Sequence, residues 1–149
     1  MILTEKEIAE IRDSMRWLAP RASAIAPEFY ADLWRRDPSL RSLFTGDLHG
    51  QGMQFMSAVG LIVDNLDNPA ALDEQIGKLS QRHSAFDLKP DAYHTMEEAL
   101  IDTFRIALGA RFTTAMQRAW RSAFHQVAER MMTERGLDPE IIEPTPPLN

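Results

Sequence analysis

The sequence contains no cysteine, which excludes disulfides, thiolate zinc sites, iron–sulfur clusters and cysteine nucleophiles. It has no apolar run long enough to cross a bilayer, and Met1 to Glu10 is too polar for a signal peptide. Basic residues are outnumbered: 16 Lys and Arg face 22 Asp and Glu, giving a net charge of −6 and a pI near 5.2. That balance argues against a nucleic-acid backbone or an anionic membrane as the main partner. The expectation from these absences is a cytoplasmic protein. Enzyme signatures are missing as well. No glycine-rich phosphate loop follows a strand, and neither HExxH nor GxSxG occurs. No catalytic residue is assigned.

What is present reads as helix almost throughout. The 149 residues fit one domain, and 44% apolar with 26% charged residues is ordinary for a globular chain. Thr4-x-x-Glu7 has the form of a capping box, and Ile8, Ile11, Met15 and Leu18 follow at helical spacing until Pro20. A second helix runs from about Arg21 to Arg36 with Ile25, Phe29 and Leu33 on one face; Pro27 inside it implies a bend or a later start. Leu40, Leu43 and Phe44 fit a short helix ended by Thr45-Gly46-Asp47. His49 to Gly52 reads as a loop or a frayed helix start. Phe55, Val59, Ile62, Val63 and Leu66 then mark a firm helix, in which Gly52 and Gly60 suggest close approach of a neighbour.

Leu72, Ile76 and Leu79 define the next helix. Another begins at Lys89-Pro90-Asp91, carries Met96, Leu100, Ile101, Phe104 and Leu108 inward, and ends at Gly109. The last spans roughly Thr113 to Arg135, with Met116, Trp120, Ala123, Val127 and Met131 inward and Gly136 as C-cap. Residues 138–149 hold four of the nine prolines and read as a disordered tail after a domain of residues 1–137. The fold class is all-α, one domain of six to eight helices.

His83 extends the Leu79 stripe, so its imidazole points into an apolar interior and needs a carbonyl, a carboxylate or a metal. By spacing alone a hydrogen-bonded core histidine is the commoner case. Tyr30 neighbours Phe29, and periodicity alone favours a boundary tyrosine with its hydroxyl in water. His94, Glu97 and Glu98 have metal-ligand spacing but read first as a solvated acidic face. His125 and His49 read as surface histidines. Met15, Met53, Met56, Met96, Met116, Met131 and Met132 suggest a methionine-rich interior.

Four ordered stretches together resemble one family. They are Phe29-Tyr30-x-x-Leu33-Trp34-x-x-Asp37-Pro38-x-Leu40-Arg41-x-Leu43-Phe44 and Gly46-Asp47-x-x-x-Gln51-Gly52, then Arg82-His83-x-x-Phe86-x-Leu88-x-Pro90-x-x-Tyr93 and Ala119-Trp120-x-x-Ala123-Phe124. From roughly Glu5 to Met132 the chain resembles a globin, specifically the bacterial single-domain globins related to the haem domain of flavohaemoglobins. The resemblance implies the globin fold, a three-over-three helical sandwich around haem b (iron protoporphyrin IX). It implies His83 as the proximal iron ligand and Phe44 as the phenylalanine packed on the macrocycle. Tyr30 and Gln51 take the distal, ligand-stabilising positions, with Phe55 as the apolar wall over the iron. Gln54 is the alternative to Gln51 and would put Ala58 there instead. Arg82 and Gln54 fit the haem propionates; Leu79, Phe86, Leu88 and Tyr93 fit the cofactor's surroundings. Tyr93 also falls at the position of a tyrosine that, with a glutamate, braces the proximal histidine. The glutamate position holds Arg135, with Glu134 one residue away.

The function so implied is reversible binding of dioxygen and other diatomic gases, for oxygen storage, transport or scavenging. Two alternatives stand beside it. One is nitric-oxide dioxygenation with a separate reductase as partner, since the sequence shows no flavin or nicotinamide domain. The other is a gas sensor acting through a partner protein. The expected assembly is a monomer or homodimer.

Overall fold

The first helix starts as its capping box predicts. Thr4 Oγ1 accepts from Glu7 N–H at 3.0 Å, and Glu7 Oε1 accepts from Thr4 N–H at 2.9 Å. The structure, a computed structural model, describes residues 2–44, 46–83 and 88–134. These form six α-helices and no strand: α1 Glu5–Leu18, α2 Ala22–Arg36, α3 Leu48–Asp64, α4 Pro69–His83, α5 Pro90–Leu108 and α6 Thr114–Glu134. Short 3₁₀ turns at Ala19–Arg21, Pro38–Leu43 and Gly109–Arg111 join them. The Gly136 cap and the proline-rich tail lie outside the described residues.

One local expectation is narrowed and another corrected. Helix α2 starts at Ala22, five residues before Pro27, so of the two alternatives the later start is excluded and the proline lies inside the helix. His49 to Gly52 is neither loop nor frayed end. The Asp47 side chain accepts from His49 N–H at 3.1 Å and caps α3 at Leu48, which makes these residues the first turns of the helix. Gly109, at φ 56°, ends α5 in a conformation that a side chain disfavours.

Helix α2 packs against α3 and α5, α1 against α6, and α4 against α3 and α6. Pairings of α1 with α3 and α5, and of α5 with α6, complete the three-over-three sandwich. Its core holds Ile11, Leu18, Ile25, Leu33, Ile101, Phe104 and Met132, all almost fully buried. A buried polar chain ties the first helix to the last. Trp120 Nε1 donates to Ser14 Oγ at 2.7 Å, and Ser14 Oγ donates to the Ile11 carbonyl at 2.8 Å. Both polar side chains are thereby satisfied in a site where an unpaired group costs about 1–3 kcal/mol. Phe104 meets the Trp120 ring edge-on at 4.9 Å. Met56, Met131 and Met132 are interior, but Met53 is exposed on the outer face of α3 and leaves the methionine set.

The two glycines of α3 separate cleanly. A Cβ on Gly52 would lie 2.8 Å from the Cβ of Ala26, so α2 and α3 approach too closely for any side chain there. A Cβ on Gly60 would meet nothing within 4 Å. Close approach explains Gly52 and not Gly60. Gly52→Ala is therefore expected to lower stability by about 1–3 kcal/mol, because Ala26 Cβ is fixed to backbone and the helices must part. Gly60→Ala is expected to raise it by up to about 1 kcal/mol through helix propensity. Urea unfolding of the two variants checks both signs.

Candidate functional site

Helix α2 buries adjacent pairs, Ile25 with Ala26 and Phe29 with Tyr30, rather than a single stripe. It is wedged between α3 and α5, so more than one face is covered. Tyr30, which periodicity placed at the boundary, is 5% exposed and faces the interior. Burial pushes its phenol pKa up, so the hydroxyl stays protonated as a donor across neutral pH. It lines a cavity of about 490 Å³ between α2, α3, α4, α5 and α6.

One side of this cavity is aromatic. Phe29 stacks on Phe55 at 4.6 Å with the rings 4° from parallel, which joins α2 to α3. Tyr30 lies 5.0 Å from Phe44 and 5.7 Å from Trp34, and the Arg41 guanidinium sits 4.0 Å over the Trp34 ring. Gln51 and Gln54 also reach the cavity from α3. Gln51 is half-buried with its amide oxygen shielded from solvent, whereas Gln54 is exposed.

The opposite side comes from α4 and the start of α5. Leu79, Arg82, His83, Leu88 and Tyr93 all line the cavity; Phe86 lies outside the described residues. His83 Nδ1 is 2.8 Å from the Leu79 carbonyl. A carbonyl only accepts, so Nδ1 carries a proton, and in the neutral ring Nε2 then holds the lone pair. Tyr93 is 2% exposed, and its hydroxyl has no hydrogen-bond partner among the described residues. Glu134 is not that partner. The Ser80 hydroxyl, then Arg130 at 3.1 Å, hold its carboxyl below the usual carboxylate range. Arg135, the other candidate, lies outside the described residues.

The back wall on α6 was not identifiable from spacing. Trp120, Phe124 and Met131, with Met96 of α5, line the same cavity. Periodicity marked Trp120, Met96 and Met131 as inward, but a residue facing a cavity and one facing packed core share the same spacing.

The acidic face assigned to His94, Glu97 and Glu98 is overturned at its centre. Glu97 is 1% exposed because α5 packs on α6 here. It accepts from Arg121 at 2.7 Å and bonds His125 Nε2, while Arg121 also donates to Glu98 at 2.8 Å. The ligand atoms of His94, Glu97 and Glu98 lie within 4.8 Å of one another. Both Glu97 oxygens already serve α6 cations, so the set works as a clamp between helices. His125 is correspondingly half-buried, not a free surface histidine.

Fold and cavity together define an all-helical protein built around one large apolar pocket with a histidine on its wall. The globin family model matches residues 27–131, and the chain belongs to the globin family, a haem-binding family. It is 24% identical over 138 residues to the flavohemoprotein of Vibrio cholerae serotype O1, covering 91% of this chain and 35% of that protein. A flavohemoprotein of Xylella fastidiosa is 28% identical over 124 residues, covering 81% and 31%. The chain thus spans about a third of the length of these curated relatives. Among solved structures it is similar to an engineered carbene transferase, described as a "putative nitric oxide dioxygenase from Rhodothermus marinus". The TM-score is 0.81 at 27% identity, covering 91% of this chain and 94% of that one. Among the described residues no helix is long and apolar enough to cross a membrane.

The clamp carries a pH dependence of stability. The hydrogen bond to Glu97 raises the His125 pKa above its ordinary 6.5. The protonated form is favoured in the folded state, so this stabilisation is full below about pH 6.5 and fades as pH rises through the raised value. Unfolding midpoints measured from pH 5.5 upward are expected to fall across that window, with a shallower slope in His125→Gln.

Proposed function

We propose that the cavity holds haem b and that the protein binds dioxygen, with other diatomic gases, reversibly at a His83-ligated iron. The observation that carries this reading is His83 itself, on the wall of the 490 Å³ cavity with its tautomer fixed by the Leu79 carbonyl. The volume lies in the range of about 300–1,000 Å³ typical of enclosed organic ligands. The donor set also fits, since a neutral imidazole with Nδ1–H on a carbonyl presents Nε2 as a metal ligand. A haem bound here would supply a redox-active iron able to take a small gas as ligand.

The chain's residues then divide the work. His83 would hold the iron. Phe44 and Phe55, which line the cavity's aromatic side, would pack against the cofactor and exclude water. Tyr30, neutral and nearly buried, would offer its O–H as a donor to a polar gas ligand, and a dry surround would strengthen that bond. The half-buried Gln51 adds a second polar group on the same side, and exposed Gln54 and Arg82 suit carboxylates at the rim.

The similar Rhodothermus protein's description supports a second reading, nitric-oxide dioxygenation with a separate reductase. The proximal side bears on that choice. Its histidine is bonded to a carbonyl, and Tyr93 and Glu134 are not joined, so the Tyr93–Glu134 brace is not assembled around it. This favours the carrier. Nitric-oxide consumption over many turnovers, with and without a reducing system, separates the two readings.

His83→Ala is expected to abolish or greatly weaken haem binding, read as loss of an intense Soret band; normal loading with unchanged ligand spectra would overturn the assignment. Tyr30→Phe is expected to speed dioxygen release by roughly tenfold or more, since a hydrogen bond to a charged acceptor is worth about 1.5–3 kcal/mol. Stopped-flow displacement measures it, and an unchanged rate would remove Tyr30 from the ligand's side.

A further inference from the structure

The net charge of −6 conceals a segregation. Residues 14–27 and 103–128 together contain six arginines and no carboxylate, so the remainder of the chain is twice as negative as the whole. The structure brings parts of these two segments to one end of the molecule. There the last turn of α1 and the start of α2 meet the end of α5 and the turn at Gly109–Arg111. Arg111 lies 4.0 Å over the Trp17 ring, and Arg21 donates to the Ala107 carbonyl.

Two large apolar side chains stand open on this end, Trp17 at 49% and Ile106 at 76% exposure. Neither Arg21 nor Arg111 has a carboxylate partner among the described residues. Arg16 and Arg105, nearby, are paired locally with Asp13 and Asp102. An exposed tryptophan and isoleucine, on an end that also carries two guanidinium groups without carboxylate partners, suit an anionic surface with an apolar layer behind it. A symmetric second copy does not fit, because it would set arginine against arginine. A nucleic acid offers phosphates but no layer to receive Ile106.

We infer that this end docks peripherally on a membrane rich in anionic phospholipid, with Arg21 and Arg111 at the headgroups and Trp17 and Ile106 in the interface. The whole-chain charge that argued against such a partner is an average and does not describe this end, where Arg21 and Arg111 have no carboxylate partner among the described residues. The attachment is peripheral and reversible, since two to four basic groups and two side chains fall well short of a spanning helix. None of its residues lines the cavity, so it is independent of what the cavity holds.

The test is co-sedimentation of the full-length protein with vesicles of phosphatidylglycerol mixed into phosphatidylcholine, against phosphatidylcholine alone. Binding is expected only with the anionic vesicles and is expected to weaken as salt is raised. Arg111→Gln is expected to reduce the partition constant about fivefold. Ile106→Ser is expected to reduce it several-fold. Both variants are expected to keep the parent's unfolding midpoint. Equal binding to the two vesicle types, no binding at low salt, or variants that bind like the parent would overturn the proposal. So would variants that change the protein's sedimentation without lipid, which would make the face a contact between copies.

Discussion

The absence of a Cβ at Gly52 is the constraint on which the geometry of the cavity rests. A methyl group there would sit inside contact distance of Ala26 and also 3.6 Å from the Tyr30 ring. With hydrogen instead, α2 and α3 close on each other one turn from the pocket. Phe29 can then stack on Phe55, and Tyr30 is pressed between two helices instead of standing at the edge. The cost is a glycine in a helix interior, roughly 0.5–1 kcal/mol. What it secures is a wall of fixed aromatic rings on the side where a small ligand would lie.

The other side of the cavity is arranged with less redundancy. One local hydrogen bond, from His83 Nδ1 to the Leu79 carbonyl, sets the ring's tautomer. It lies within a single turn of α4 and needs no partner from another helix. Glu134 reaches only as far as Ser80, one turn before the histidine. Tyr93 is left with a buried hydroxyl that no described residue satisfies. The Leu79 carbonyl is a neutral acceptor, which polarises an imidazole less than a carboxylate does.

Much of this was legible in the sequence where one residue's role follows from its immediate neighbours. The Thr4 capping box, the inward stripe of α6 and the place of His83 after Leu79 all appear where spacing put them. Tyr30 was not legible from periodicity, because a helix wedged between two others buries more than one stripe. The motif around it carried the information that the spacing lacked. Glu97 failed for a similar reason: acidic neighbours suggested a wet face, but its two cationic partners lie more than 20 residues away on α6. Gly60 shows the opposite error, a glycine given a packing reason where the space beside it is empty.

The hydrogen bond from Trp120 to Ser14 has one more implication. No residue of α1 touches the cavity, and the family match begins only at residue 27. Yet Trp120 forms part of the cavity wall, and its indole nitrogen is tethered to α1. The pocket's rigidity is thus borrowed from a segment that contributes nothing to its surface. Loosening the first helix would show up as a blurred back wall, felt by any occupant before the fold itself gave way.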